Sequence, residues 1–222
     1  MKSIAFIKRE AVNWILILLP FIYLIVVYDR LPPFNPFPLN WEQSIYYLLI
    51  FNTSVSVLGY LWLLIKPEIV PKTTLHGNPK ILYRIKTLII CYISLLSLTY
   101  ISENIGISFN WSKIGHILAM GFVMVFGNIY PTIRFNYVIG IKNAWTLSNE
   151  QIWNKTHRFA GKVAFLGGLI GALYGILFDP FPVPYMPVFW VGYIFLLYLI
   201  PTIYSYLVFK KLQLDHPEAS NH

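Results

Sequence analysis

The sequence predicts an all-α, polytopic integral membrane protein with six transmembrane helices and both termini in the cytoplasm. Three observations carry that prediction. The chain of 222 residues is 57% hydrophobic and only 12% charged, against about 45–50% apolar and about 25% charged residues in an ordinary soluble domain. Its apolar residues gather into runs close to the roughly 20 that a helix needs to cross the hydrocarbon layer. Its basic residues fall between those runs in a one-sided way, and an aromatic fraction of 18% suits a protein that stations amphipathic rings at two membrane interfaces.

The first span, Ala11 to Tyr28, reads AVNWILILLPFIYLIVVY. No small-residue cleavage site follows it, so it is expected to be retained rather than removed as a signal peptide. The second, Ser44 to Ile65, carries Asn52 and Ser56 one turn apart, a pattern that suits hydrogen bonding to a neighbouring helix. The third, Ile85 to Ile101, holds the single cysteine, Cys91, which rules out an intrachain disulfide and a multi-cysteine metal site. The fourth, Ile114 to Ile129, begins beside His116, expected near the outer surface as an interfacial hydrogen-bonding group in preference to a proton-responsive one.

The fifth, Lys162 to Phe178, contains GGLIGALYG, with Gly167, Gly171 and Gly175 spaced four apart to form a groove that a second backbone can enter. The sixth runs from Pro187 to Phe209. Pro20 and Pro201 lie inside spans and are expected to kink them. The third to fifth apolar runs are short, which predicts tilt or partial burial. No span holds an Asp, Glu, Lys or Arg well inside, which argues against an ion-coupled transporter.

Orientation follows from the cost of moving Lys and Arg across the bilayer. With the N-terminus inside, the inner segments hold Lys2, Lys8 and Arg9, then Lys66, Lys72, Lys80, Arg84 and Lys86, then Arg134, Lys142, Lys155, Arg158 and Lys162, and finally Lys210 and Lys211. Only Arg30 and Lys113 of the 17 basic residues lie outside. The net charge of +8 is thus explained by topology; no separate basic patch exists, and direct nucleic-acid binding is not expected.

The polar stretch from Phe135 to Lys162 is the unusual element. It uses about 30 residues where about 2–8 connect most helices, and long ordered loops are often functional. No zinc-protease, nucleophile-elbow or phosphate-loop motif occurs in the chain, so no catalytic residue, metal or cofactor is assigned. Glu150 and His157 are seven apart, on one helical face but two turns from contact. Ser148 and Gln151 match a capping box, with Glu150 at the positive helix end. Ile152, Trp153, Thr156, Phe159 and Ala160 then repeat at helical spacing, opposite Lys155, Arg158 and Lys162. This predicts an interfacial amphipathic helix leading into the fifth span, with Trp145 and Trp153 at headgroup depth. Gly127, Pro131 and Gly140 set chain direction, and Asn128 and Asn136 supply backbone-bonding side chains.

The stretch GNIYPTIRFNYVIGIKNAWTLSNEQIWNKTHRFAGK resembles the signature of the SdpI family of bacterial membrane proteins, named for immunity to a sporulation-delaying toxin. The elements that carry the resemblance are Gly127, Asn128, Pro131, Asn136 and Tyr137, then Gly140 to Lys142 and Trp145, Thr146 and Leu147. They continue with Glu150, Trp153, Thr156, His157, Arg158, Gly161 and Lys162. Family members typically have six spans. Residues 1–105 resemble the domain of unknown function that often precedes this signature, but after Leu31-Pro32 the usual His and Gly of its outer motif are missing. Residues 106–212 form the SdpI-like region, with signature loop 127–162, and 213–222 a short cytoplasmic tail.

The resemblance implies a non-enzymatic, multi-pass protein of the bacterial cytoplasmic membrane. Its implied role is protection against a secreted membrane-active peptide toxin, together with holding a small cytoplasmic repressor at the membrane. Asn136, Trp145, Glu150, Trp153, Thr156, His157 and Arg158 are the residues expected to matter most. The alternative is a small membrane enzyme or transporter with a site at the inner interface around Glu150, His157 and Arg158. A third reading makes the loop a rigid connector.

Overall fold

A computed structural model describes residues 2–31, 54, 79–108, 110–137, 139–178 and 186–215. The expected second span, with Asn52 and Ser56, lies outside the described residues, as do most of the first outer loop and of the segment from Lys66 to Lys80. Among the described residues the regular elements are all helical. They are α1 (Lys2–Val26), α2 (Pro79–Asn104), α3 (Trp111–Ile129), α4 (Ala144–Ser148), α5 (Glu150–Leu177) and α6 (Met186–Asp215), with 3-10 turns at Tyr28–Arg30 and Tyr130–Thr132. In hydrocarbon a backbone amide has no water to bond, so an apolar run must satisfy its polar groups internally, as a helix does.

Four helices are long and apolar enough to cross a membrane: Tyr83–Asn104, Ser112–Thr132, Glu150–Leu177 and Val188–Asp215; Glu10–Val26 is a shorter apolar helix. They coincide with the expected third to sixth spans and the first. The third and fifth are longer than their apolar runs suggested, at 26 and 28 residues, because polar turns extend each helix. Pro20 and Pro201 are each inside a continuous helix.

The chain divides into two compact units, Met1–Ile69 with Leu82–Ala119, and Val70–Ile81 with Met120–His222. In the first, α1 and α2 run parallel. Glu10 meets Lys86, Ile17 packs with Ile90, Tyr23 bonds Ser102 at 3.0 Å and Val27 packs with Ile101, so contacts advance together along both helices. Parallel direction is what the expected topology asks of the first and third spans. The same unit holds a buried polar knot where the first and third spans begin. Lys86 Nζ donates to Glu10 Oε2, Asn13 donates to the same oxygen at 3.0 Å, and Thr87 donates to Asn13 at 2.8 Å. Glu10 and Lys86 are 4% and 6% exposed. His116, expected near the outer membrane surface, is buried within the protein.

In the second unit α3, α5 and α6 alternate in direction. Gly127 of α3 faces Gly161 and Phe165 of α5, whereas Met124 and Met120 face Gly168 and Gly171. Phe159 of α5 stacks on Tyr204 of α6, and Gly167 faces Tyr193. The expected glycine groove is therefore split between two neighbours. Gly171 turns to α3 and Gly167 to α6, while Gly161 and Gly168, two turns apart, carry the closest approach to α3.

Candidate functional site

The loop from Tyr130 to Asn149 starts where α3 and α5 touch backbone to backbone. A Cβ on Gly127 would lie 2.5 Å from Phe165 N and 2.9 Å from Gly161 O. One on Gly161 would lie 2.7 Å from both Gly127 O and Pro131 Cδ. Any side chain at either glycine would drive the helices apart. Pro131 shapes the 3-10 turn that carries the chain off α3 and across Gly161.

The loop then folds back over the first turns of α5 and is pinned there by two aromatic rings. Trp153 is completely buried and its Nε1 donates to Ile133 O at 2.9 Å. His157 stacks on it with centroids 4.0 Å apart and an interplanar angle of 21°, Phe135 meets its edge, and Tyr130 flanks His157. The Ile141 amide donates to His157 Nε2 at 3.1 Å, and Nδ1 lies 2.9 Å from Trp153 O. An amide can only donate and a carbonyl can only accept, so the two bonds together require the neutral ring with its proton on Nδ1. Both ring nitrogens are thereby committed to the backbone.

Gly140 lies directly over these rings. Its φ is +133°, a conformation that L side chains rarely adopt. A Cβ there would overlap His157 Nε2 and come within 2.8 Å of Trp153 Cη2. Beside it, Asn136 closes the preceding turn, accepting from Ile139 N at 2.8 Å and donating to Arg134 O at 2.7 Å.

The second half of the loop is a capped single turn, α4. The Asn143 side chain accepts from Thr146 N at 2.9 Å, and Thr146 Oγ1 accepts from Asn143 N at 3.0 Å while donating to Ile141 O at 2.8 Å. Asn143 Nδ2 also donates to Ser205 Oγ of α6 at 3.0 Å, and Trp145 packs on Tyr206. The loop is thus fastened to both α5 and α6. The expected cap of α5 shifts by one residue: Asn149 caps it, accepting from Gln151 N at 2.7 Å, whereas Ser148 closes α4 by bonding Trp145 O. Asn149 wins because the extended backbone that a cap needs falls there, Ser148 still being helical.

The amphipathic segment is present and continues into the span as one helix. Its apolar face is covered by the protein's own loop, so Trp153 is enclosed by protein instead of facing lipid. Gly127, Thr146, Trp153, Thr156, His157 and Gly161 are buried, and Thr156 Oγ1 has no hydrogen-bond partner. Trp145, Asn136 and Gly140 are half-buried, while Asn128, Pro131, Glu150 and Arg158 are exposed. Glu150 and His157 do not share an environment, since one is at the surface and the other inside. No group of three or more metal-ligating side chains occurs among the described residues. Sequence reasoning passed over Asn143 and Ser205; the spacing of Asn143 and Thr146 is itself a capping signal, but Ser205 becomes part of the site only through tertiary contact.

The SdpI/YfhL protein family matches residues 132–205, which takes in most of this loop, α5 and much of α6. Over 214 residues, 92% of this chain and 98% of the relative, the sequence is 28% identical to the Immunity protein SdpI of Bacillus subtilis (strain 168). No solved structure matches. Together with the apolar spanning helices, these similarities make the chain a multi-pass cell-membrane protein, and the resemblance seen in the signature holds across nearly its whole length.

Proposed function

We propose, from the SdpI/YfhL-family match over residues 132–205, that the chain is a bacterial membrane immunity protein that protects its cell from a secreted, membrane-active peptide toxin. The similarity to the immunity protein of Bacillus subtilis supports this role. The observation that carries the reading is where the signature residues go. Trp153, His157, Thr146 and Gly161 turn inward and hold a long loop in one shape, instead of converging on an open cleft. A catalytic His157 would have to give up a backbone bond for every proton it moved.

A loop built this way serves as a platform. Its outward residues, among them Tyr137 and Glu150, form the surface on which a small cytoplasmic repressor docks when toxin is bound. Signalling of that kind needs two states of the protein, and toxin shifts them only by its differential affinity. Domain roles follow the same division: residues 106–212 with loop 127–162 carry the signal, and residues 1–105 complete the membrane region.

The test is survival of toxin-sensitive bacteria challenged with the sporulation-delaying peptide. Expression of the wild-type chain should raise survival. Tyr137→Ala/Glu150→Lys at equal membrane level should protect but fail to recruit the repressor. Lack of protection by the wild-type chain overturns immunity to this toxin, and unchanged recruitment by the double variant overturns the docking surface.

A further inference from the structure

One face of α5 changes character abruptly along its length. Lys155, Arg158 and Lys162 are spaced by three and four residues, so they share that face, and all three are exposed. The next residues on it are Leu166, Ile170 and Leu173, exposed by 54%, 66% and 48%. Depth along the neighbouring helix makes the cations unusual. Phe159 stacks on Tyr204 with centroids 4.2 Å apart, and Gly167 faces Tyr193, so the antiparallel register sets Arg158 level with Tyr204 and Lys162 level with Ile200. Around those levels α6 shows exposed aliphatic side chains, Ile200, Ile203 and Leu207, and its first cations are Lys210 and Lys211. At about 1.5 Å per residue, Lys162 lies roughly 15 Å deeper than Lys210 along the helix pair. Three cations at an apolar level favour an anion that itself reaches that level, sparing the long side chains from extending to water.

We propose that this face of α5 seats one anionic phospholipid from the leaflet at the N-terminal end of the helix. The phosphate is held by Lys155, Arg158 and Lys162, and an acyl chain lies on Leu166, Ile170 and Leu173. A phospholipid matches the face because it carries charge and hydrocarbon in the same order. A soluble acidic protein matches only the first half. Arg158 is the centre of the seat, its planar fork suited to bidentate phosphate contact.

The experiment uses the full chain in nanodiscs containing equal phosphatidylglycerol and phosphatidylethanolamine. Retained lipid is read by native mass spectrometry, and contact by a photoactivatable phosphatidylglycerol followed by peptide mapping. The wild-type chain should retain phosphatidylglycerol at least tenfold over phosphatidylethanolamine, and label should fall within residues 155–173. Lys155→Gln/Arg158→Gln/Lys162→Gln should lose that preference, whereas Lys210→Gln/Lys211→Gln should keep it. Lys155→Arg/Arg158→Lys/Lys162→Arg, which preserves charge, should keep most of it. Equal loss in the α5 and α6 variants overturns the seat in favour of diffuse attraction. Labelling of wild-type protein mainly outside residues 155–173 overturns it without reliance on any variant. So does a triple variant that keeps the lipid preference and loses only a bound cytoplasmic protein.

Discussion

Gly140→Ala should release the loop from α5 while leaving the membrane helices intact. Its cost has two sources. The native φ of +133° lies in a sparsely populated region that an alanine adopts at an expense of about 1–3 kcal/mol. The new methyl group would also overlap His157 Nε2 and lie 2.8 and 2.9 Å from Trp153 Cη2 and Cζ2, an overpacking that typically costs about 1–3 kcal/mol. The rings cannot retreat, since Trp153 is tied to Ile133 O and His157 is held at both nitrogens. Relief comes from lifting residues 139–142 away, which breaks the Ile141 amide bond to His157.

The total is roughly 2–6 kcal/mol of local stability, and at about 1.4 kcal/mol per factor of ten this raises amide exchange by about 30-fold to about 20,000-fold. The assay is hydrogen–deuterium exchange with mass spectrometry on the protein in nanodiscs, comparing a peptide spanning residues 139–147 with one inside residues 162–177. The loop peptide should exchange much faster, and the helix peptide should change little. If exchange of the loop peptide stays within threefold of wild type, Gly140 does not lock the loop and the clamp is wrongly drawn.

Three further outcomes are expected. Trp153→Phe fills most of the ring site but leaves the Ile133 carbonyl buried without its donor, which should lower stability by about 1–3 kcal/mol; a melting temperature equal to wild type would show that this bond contributes nothing. Thr146→Val keeps the shape of a fully buried side chain while removing its bonds to Asn143 N and Ile141 O, so α4 should loosen by about 1–2 kcal/mol, seen as faster exchange at residues 143–148 alone. Glu10→Gln and Lys86→Met should each destabilise by about 3–5 kcal/mol because each strands a buried partner, and the double variant should recover much of the loss. Additive effects in that cycle would mean the two charges are not coupled.

Much of the membrane architecture was legible in sequence because the bilayer leaves few options: an apolar run that cannot bond to water becomes a helix. Five of the expected spans fall on described helices, and the signature loop was located by its polarity and length. The inside of that loop was less legible. Trp153 and Lys155 both look interfacial by residue type, yet one is enclosed and the other exposed, because the loop itself covers one side of α5. The cap of α5 was misplaced by one residue because Ser148 and Asn149 are both good caps and only the backbone path of α4 separates them. Lys86 read as a flanking charge, since its partner Glu10 is 76 residues away in the chain and no local pattern links them.

Composition, apolar periodicity and the placement of basic residues by themselves determined that this is an all-helical membrane protein with a special polar loop, since those quantities are set by solvation one residue at a time. Tertiary structure alone decided that the loop's rings face inward, that His157 is a neutral backbone strut, and that Gly127 and Gly161 are the point of helix contact. Each of these depends on which distant atoms arrive at a position, and the energy of a buried ring, a committed imidazole or a missing Cβ exists only once they have arrived.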